Sequence, residues 1–291
     1  VAILSDGKVL AHGVSDQLKR YSDTGVADAT FNTTAATGSV LSSPRGLVID
    51  SLGRIVVGDN GGGLLNRFSS SGAVDSAFNS ASLSALGTGT ASAVAIHNND
   101  SVLVGGNFVG GLKKVTSAGA AETAFNNNAA TSVGATVNSI AVQADGKIVL
   151  AGTFTGFVKR INADGTADTA FNTAIGSQFS SSASAVAIAP DGSIVVGGGF
   201  TGRLKKLNSD GSAGAAFATT PSATVNAVAV QADGKVLAGG GFTGRLLRFN
   251  ADGSTDSTFV LDYSNELNTT VTAIAVSSTS GKIAVSTLNG P

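Results

Sequence analysis

A chain with two histidines and no cysteine has few ways to do covalent chemistry. The missing thiols exclude disulfide staples, thiolate metal sites and a cysteine nucleophile. His12 and His97 stand in different stretches, and neither belongs to a metal-spaced pair or a triad. No catalytic residue is assigned, and the chain reads as a non-enzyme. The phrase "NADGTAD" (162–168) puts Asn162, Asp164 and Asp168 at offsets resembling the start of a calcium loop. The bidentate Glu that closes such a loop is absent, so no metal is expected. Its Asp-Gly reads as a turn, and Asp168 as the partner of a neighbouring cation. The Gly-rich runs lie in strand-like segments with no helix behind them, so they do not form a phosphate cradle. No cofactor is expected.

Two groups of residues could bind rather than catalyse. Twelve of the 18 basic residues recur near one position of a repeat: Lys19, Arg20, Arg67, Lys113, Lys114, Lys159, Arg160, Arg203, Lys205, Lys206, Arg245 and Arg248. A ring of cations would take polyanions. The competing reading pairs them with the recurring Asp28, Asp75, Asp168 and Asp256. Net charge is −1, from 18 basic and 19 acidic residues, which favours pairing and gives no pull toward nucleic acid. The second group lies in connectors that vary while the rest repeats. Asn126, Asn127 and Asn128, Gln178 and Phe179, and Tyr263 and Asn265 are the candidate ligand contacts there. Neutral donors and acceptors of this kind suit sugar hydroxyls or a polar protein surface.

The elements that must carry these residues come from the repeat itself. A "DG…F" phrase ends at Phe31, Phe78, Phe125, Phe171, Phe217 and Phe259, with spacings of 47, 47, 46, 46 and 42. A second phrase, "AVQADGKIVLAGTF" (141–154), keeps the same beat. In the unit from 137 to 171, "VNSIAVQ" and "KIVLAGTF" read as strands joined by an Asp-Gly hairpin of type I′. "FVKRIN" reads as a third strand and "TADTAF" as a short fourth. Four antiparallel strands in about 46 residues make one propeller blade. No sustained 3.6-residue periodicity is present, so helix should be nearly absent. The recurring Phe is expected to plug the core between blades. Runs such as "GGGF" (197–200 and 239–242) would let neighbouring backbones approach.

The fold expected is therefore all-β, one β-propeller domain over 1–291. Its units are approximately 1–44, 45–91, 92–136, 137–183, 184–224, 225–270 and a partial 271–291. Seven blade positions are favoured, the last half-built, with six as the alternative. The units resemble the bacterial delta-sixty repeat family of β-propellers, through phrases of the type "AVQADGKIVLAGTF…VKRINADGTADTAF". Unit two departs with "DSLGR", unit three with Asn99-Asp100, and unit five with Gly214 in place of Asp. That resemblance implies an exported or surface-associated propeller and brings no catalytic residues.

Only 13% of residues are charged, and no run is long and apolar enough to span a membrane. A cysteine-free chain rich in Ser, Thr, Asn and Gly suits an exported surface protein, with a cytosolic chain as the alternative. Opening at "VAILSDGK", inside a motif, suggests a trimmed or processed piece. The function expected is an extracellular, cell-surface or virion module, adhesive or structural, within a larger assembly. Its partner would be a glycan or protein surface, with neither nucleic acid binding nor membrane insertion. The alternatives are a propeller lyase or glycan hydrolase, and an intracellular docking scaffold.

Overall fold

Three of every four expected strands form, and the fourth is replaced by something else. The computed structural model describes residues 1–12, 17–37, 41–61, 64–260 and 269–288. Blade 1 contains β1 (Ala2–Ile3), β2 (Val9–His12) and β3 (Leu18–Tyr21). Blade 2 contains β4 (Pro44–Ile49), β5 (Ile55–Asp59) and β6 (Leu65–Phe68). Blade 3 contains β7 (Thr90–Ile96), β8 (Val102–Asn107) and β9 (Leu112–Val115). Blade 4 contains β10 (Val137–Val142), β11 (Ile148–Gly152) and β12 (Val158–Ile161). Blade 5 contains β13 (Ala183–Ile188), β14 (Ile194–Gly198) and β15 (Leu204–Leu207). Blade 6 contains β16 (Val225–Val230), β17 (Val236–Gly240) and β18 (Leu246–Phe249). Blade 7 has β19 (Val271–Val276) and β20 (Ile283–Thr287).

Each blade is an antiparallel meander in sequence order. The first strands adjoin one another around the axis, β4 beside β7, β7 beside β10, and so on to β19 beside β1. Lys282 Nζ meets Asp23 Oδ2 at 2.9 Å across that last seam. Seven sheets thus occupy seven blade positions, the favoured count.

After the third strand the chain makes a single bridge, such as Ile161↔Ala167, and then turns into a helix. Among the described residues the α-helices are α1 (Ala29–Ala36), α2 (Ser76–Leu86), α3 (Thr123–Ser132) and α4 (Thr169–Ile175). The expectations of a fourth strand and of almost no helix are corrected here. The cause is local. Asp168 is the N-cap of α4, and its Oδ1 accepts from the Phe171 amide at 3.3 Å. Asp28 and Asp75 cap α1 and α2 in the same way. A capping Asp satisfies an orphan amide of the first turn and starts a helix. The Asn after each Phe then does the work of a strand: Asn172 Oδ1 accepts from the Arg160 amide, and its Nδ2 donates to the Arg160 carbonyl. A side-chain amide copies a peptide group at the sheet edge. Unit five has Gly214 for the Asp and Ala218 for the Asn, and no helix forms there.

The hairpin turn also differs from type I′. In "QADGK", Gly146 alone takes a positive φ, and its amide donates to Gln143 O at 2.9 Å. That is a three-residue loop, a type I turn followed by a left-handed glycine.

Phe31, Phe78, Phe125 and Phe171 are buried between blades as expected, though on helices rather than on outer strands. Phe217 and Phe259, where no helix forms, are half-buried. Size matching sets the blade spacing. A Cβ on Gly197 would lie 2.5 Å from Val225 Cγ1, and Gly105 and Gly239 face Val137 and Val271 likewise. In blade 4 the same column holds Ala151, and the facing residue of the next blade is Ala183, both fully buried in one cluster.

Candidate functional site

Neighbouring side chains of a strand point to opposite faces, so the paired cations of each third strand reach opposite ways. The first reaches back. Lys113 Nζ donates to Leu86 O at 2.5 Å, Lys159 to Ser132 O at 3.0 Å and Lys205 to Gln178 O at 2.7 Å. These carbonyls lie at or just past the C-termini of the preceding blade's helix, where a cation is favoured. The second reaches forward. Arg20 Nη1 donates to Ser70 O, Arg67 to Ser117 O, Arg160 to Ser209 O and Lys206 Nζ to Ala251 O, at 2.6–3.1 Å. Each of these Arg side chains also pairs with its own blade's capping Asp and covers a Phe ring, Arg67 at 3.9 Å from the Phe78 centroid. The pairing reading of the basic ring is the one the geometry supports. Arg203 and Arg245 stand apart, at positive φ in the turn before the third strand.

The carboxylates respond to these contacts. Asp28 lies below its ordinary value through the Phe31 amide and then Arg20. For Asp168 burial works upward, but Lys147, the Phe171 amide and Arg160 outweigh it and the net shift is down. The same Asp168 and Asp164 were the calcium-loop candidates. Asp164 Oδ1 is occupied by the Thr166 amide and hydroxyl.

Blade 3 breaks the pattern at four places. Lys114 replaces the Arg, Glu122 replaces the capping Asp, His97 stands where Gln143 and Gln231 stand elsewhere, and Asn99-Asp100 replaces Asp-Gly. Glu122 makes no side-chain cap to α3 and instead pairs with Lys114 at 3.0 Å. Lys114 makes no forward bond to Ala163, the blade 4 residue equivalent to Ser70, Ser117 and Ser209. A cavity of about 380 Å³ opens at that seam, lined by His97, Asn98, Asn99, Ser101, Lys114, Thr116, Ser117, Glu122 and Ala163. The shorter Lys leaves space that a guanidinium occupies in other blades. Lys206, the other Lys in this column, also borders a cavity, of about 250 Å³.

His97 is 5% exposed, and its Nε2 lies 2.9 Å from Gly146 O of blade 4. A carbonyl only accepts, so Nε2 carries the proton. Nδ1 is buried without a partner. Burial pushes the imidazole below its usual value, and it is neutral at pH 7. Its lone pair is closed off from the cavity solvent, which leaves it poorly placed for proton transfer. His12 is likewise pushed down, to about 4, by burial. Among the described residues no group of three or more His, Asp or Glu could hold a metal ion.

The connector candidates divide. Asn126 clamps both backbone groups of Lys114, and Asn128 Nδ2 donates to Asp164 O of the next blade. Gln178 Nε2 donates to Ala174 O and Gly211 O. Phe179 is 5% exposed and packs edge-on against Phe200 at 4.9 Å, so it is a core residue rather than a surface contact. Asn127 is exposed. Tyr263 and Asn265 lie outside the described residues. Asn128 and Gln178 therefore bond across seams, and Asn126 within its own blade. What the sequence reading passed over is the blade 3 cluster, whose signal was four departures from the repeat falling in one unit.

Three segments, 143–171, 189–217 and 231–259, match the family model "Domain of unknown function (DUF5122) beta-propeller". They fall in blades 4, 5 and 6, so the chain carries β-propeller repeats of that kind. No curated protein matches the sequence. Among solved structures, a streptogramin B lyase is similar with a TM-score of 0.71 at 13% identity, covering 98% of this chain and 89% of that one. The WD40 β-propeller domain of Doa1 is similar with a TM-score of 0.65 at 13% identity, covering 98% and 88%. A chain of a mitotic checkpoint complex gives 0.71 at 12% identity, covering 98% and 82%. At such identities the likeness is one of fold: this is a β-propeller.

Proposed function

We propose that this propeller is a non-enzymatic binding module, extracellular and built into a larger cell-surface or virion appendage as an adhesive or structural part. One observation carries the reading: the groups that could do acid–base work hold the blades together. The third-strand cations staple neighbouring blades, the repeated Asp residues cap helices, and the imidazole lone pair of His97 is occluded. Among the described residues no helix is long and apolar enough to cross a membrane. The ligand's place is the blade 3–4 cavity, whose wall includes His97, Lys114 and Glu122. Its amides, hydroxyls and one ion pair suit a glycan or a polar protein surface.

Restoring the repeat there tests the reading. The Lys114→Arg, Glu122→Asp double variant should fill the cavity, bond to blade 4 and raise the urea midpoint by the equivalent of about 1 kcal/mol. On a glycan array at low and moderate salt it should lose whatever the parent binds. Binding that survives the change puts the site elsewhere. Heparin retention that collapses steeply with salt would return it to the basic ring. Turnover of the bound glycan would make the protein an enzyme and end the proposal.

A further inference from the structure

One arrangement recurs in blades 1, 2 and 4, where a guanidinium joins its own blade's carboxylate to the next blade's turn. Arg67 donates through Nε and Nη2 to Asp75 Oδ2 at 2.9 and 2.7 Å, and through Nη1 to Ser117 O at 2.6 Å. Its guanidinium lies 3.9 Å from the Phe78 ring centroid. Arg20 joins Asp28 to Ser70 O in this way, and Arg160 joins Asp168 to Ser209 O.

Blade 3 keeps the acceptors without the guanidinium. Lys114 stands 5.1 Å from the Phe125 centroid and pairs with Oε2 of Glu122. Glu122 makes no side-chain cap to α3, and among the described residues no donor reaches its Oε1. None reaches Ala163 O either, the carbonyl in the place of Ser117 O and Ser209 O. Glu122 and Ala163 both line the cavity of about 380 Å³. Blade 5 also carries a Lys in this column, but its Lys206 takes Ala251 O at 3.1 Å and Gly214 brings no carboxylate. The two open acceptors are thus a property of blade 3. The wall's own charges cancel, Lys114 against Glu122. Exposed Asp145 and Asp164 stand next in sequence to Gly146, which takes His97, and to Ala163. The local field therefore favours a cation.

We infer that the blade 3–4 cavity binds the guanidinium of an arginine side chain presented by a partner protein. The inference rests on the reading of that cavity as the ligand's place. The planar fork donates to Glu122 and to Ala163 O, the pairing that the chain's own arginines make at three other seams. An ammonium is a compact point charge without the fork, so lysine is the poorer ligand. Citrulline keeps the shape but brings no charge to Glu122.

The probe is the tripeptide Gly-Arg-Gly, acetylated and amidated at its ends, titrated into the isotope-labelled chain by NMR. Saturable shifts are expected at the amides of Ser117, Ala163 and Asp164. Peptides with lysine or citrulline in the middle should bind about tenfold more weakly or worse. Glu122→Gln should weaken the arginine peptide about tenfold. Lys114→Arg supplies the guanidinium from within, and should abolish the shifts at a urea midpoint no lower than the parent's. Absence of saturable shifts, equal binding of the lysine or citrulline peptide, or undiminished binding to Lys114→Arg overturns the inference. A glycan that occupies the cavity while the arginine peptide does not would overturn it too, and leave the binding-module reading standing. Saturable arginine binding supports it whether or not any glycan is retained.

Discussion

Phe171 shows how one side chain is used three times over. It sits in the first turn of α4, fills the seam to blade 5, and lies 4.1 Å beneath the Arg160 guanidinium. Phe171→Ala should cost about 3 kcal/mol or more, since truncating a buried ring loses transfer energy and leaves a cavity. A urea midpoint shift worth less than about 1 kcal/mol would show that the seam collapses around the gap. His12 gives the pH counterpart. Burial holds it at about 4, below the 6.5 of an ordinary imidazole. The unfolded chain therefore binds that proton more tightly. Its contribution is complete above about pH 6.5 and is lost as pH falls toward 4, amounting to about 1–3 kcal/mol for this half-buried group. His97, also pushed down by burial, adds in the same direction. His12→Gln should flatten stability between pH 6.5 and 4, and urea melts at pH 7, 5.5 and 4.5 measure it. An unchanged slope would show that His12 protonates freely in the folded state.

At the scale of elements, a helix stands where a strand was expected in the four units that carry an Asn after the Phe, Asn32, Asn79, Asn126 and Asn172. The capping Asp and the following Asn recur in units one, two and four, and unit three keeps a helix with Glu122 and Asn126. Unit five has neither residue of the pair and has no helix. Installing them, as Gly214→Asp with Ala218→Asn, should order residues 215–219 into a turn like the start of α4, stopping short of Pro221. Gly214 donates its amide to Lys206 O just as Asp168 does to Arg160 O, though a Cβ there would lie 3.1 Å from Lys206 O and that strand must give slightly. Hydrogen exchange read by mass spectrometry should slow at 215–219, with a gain of about 1 kcal/mol in stability. Unchanged exchange would mean that the rest of the seam forbids the helix.

The whole molecule is a ring whose spacing is set by small residues meeting larger ones. Gly197 faces Val225, while Ala151 belongs to the cluster that holds Ala183. Gly197→Ala should overpack the blade 5–6 seam and cost about 1–3 kcal/mol. Adding Val225→Ala should recover much of that loss, since it recreates the pair blade 4 already tolerates. A double-mutant cycle measures the coupling, and strict additivity would refute the size-matching account.

The amino-acid sequence determined the architecture, because a repeat is written along the chain. The Phe beat, the Asp-Gly turns and the alternating Val, Ile and Ala act between neighbours a few residues apart. From them the all-β propeller, the hairpins of each blade and the buried Phe were legible. Tertiary structure decided the rest, because the deciding partners lie far off. Asn172 meets Arg160 12 residues away, and Arg160 meets Ser209 in the next blade at a separation of 49. That is why Asn126 and Gln178 read from the sequence only as polar connectors, and their bonds to Lys114 and Gly211 were not legible. Closure at seven positions brings β19 beside β1 and Lys282 to Asp23, 259 residues apart. The blade 3 cavity, likewise, is lined by residues up to 66 positions apart, from His97 to Ala163, which only the folded ring brings together.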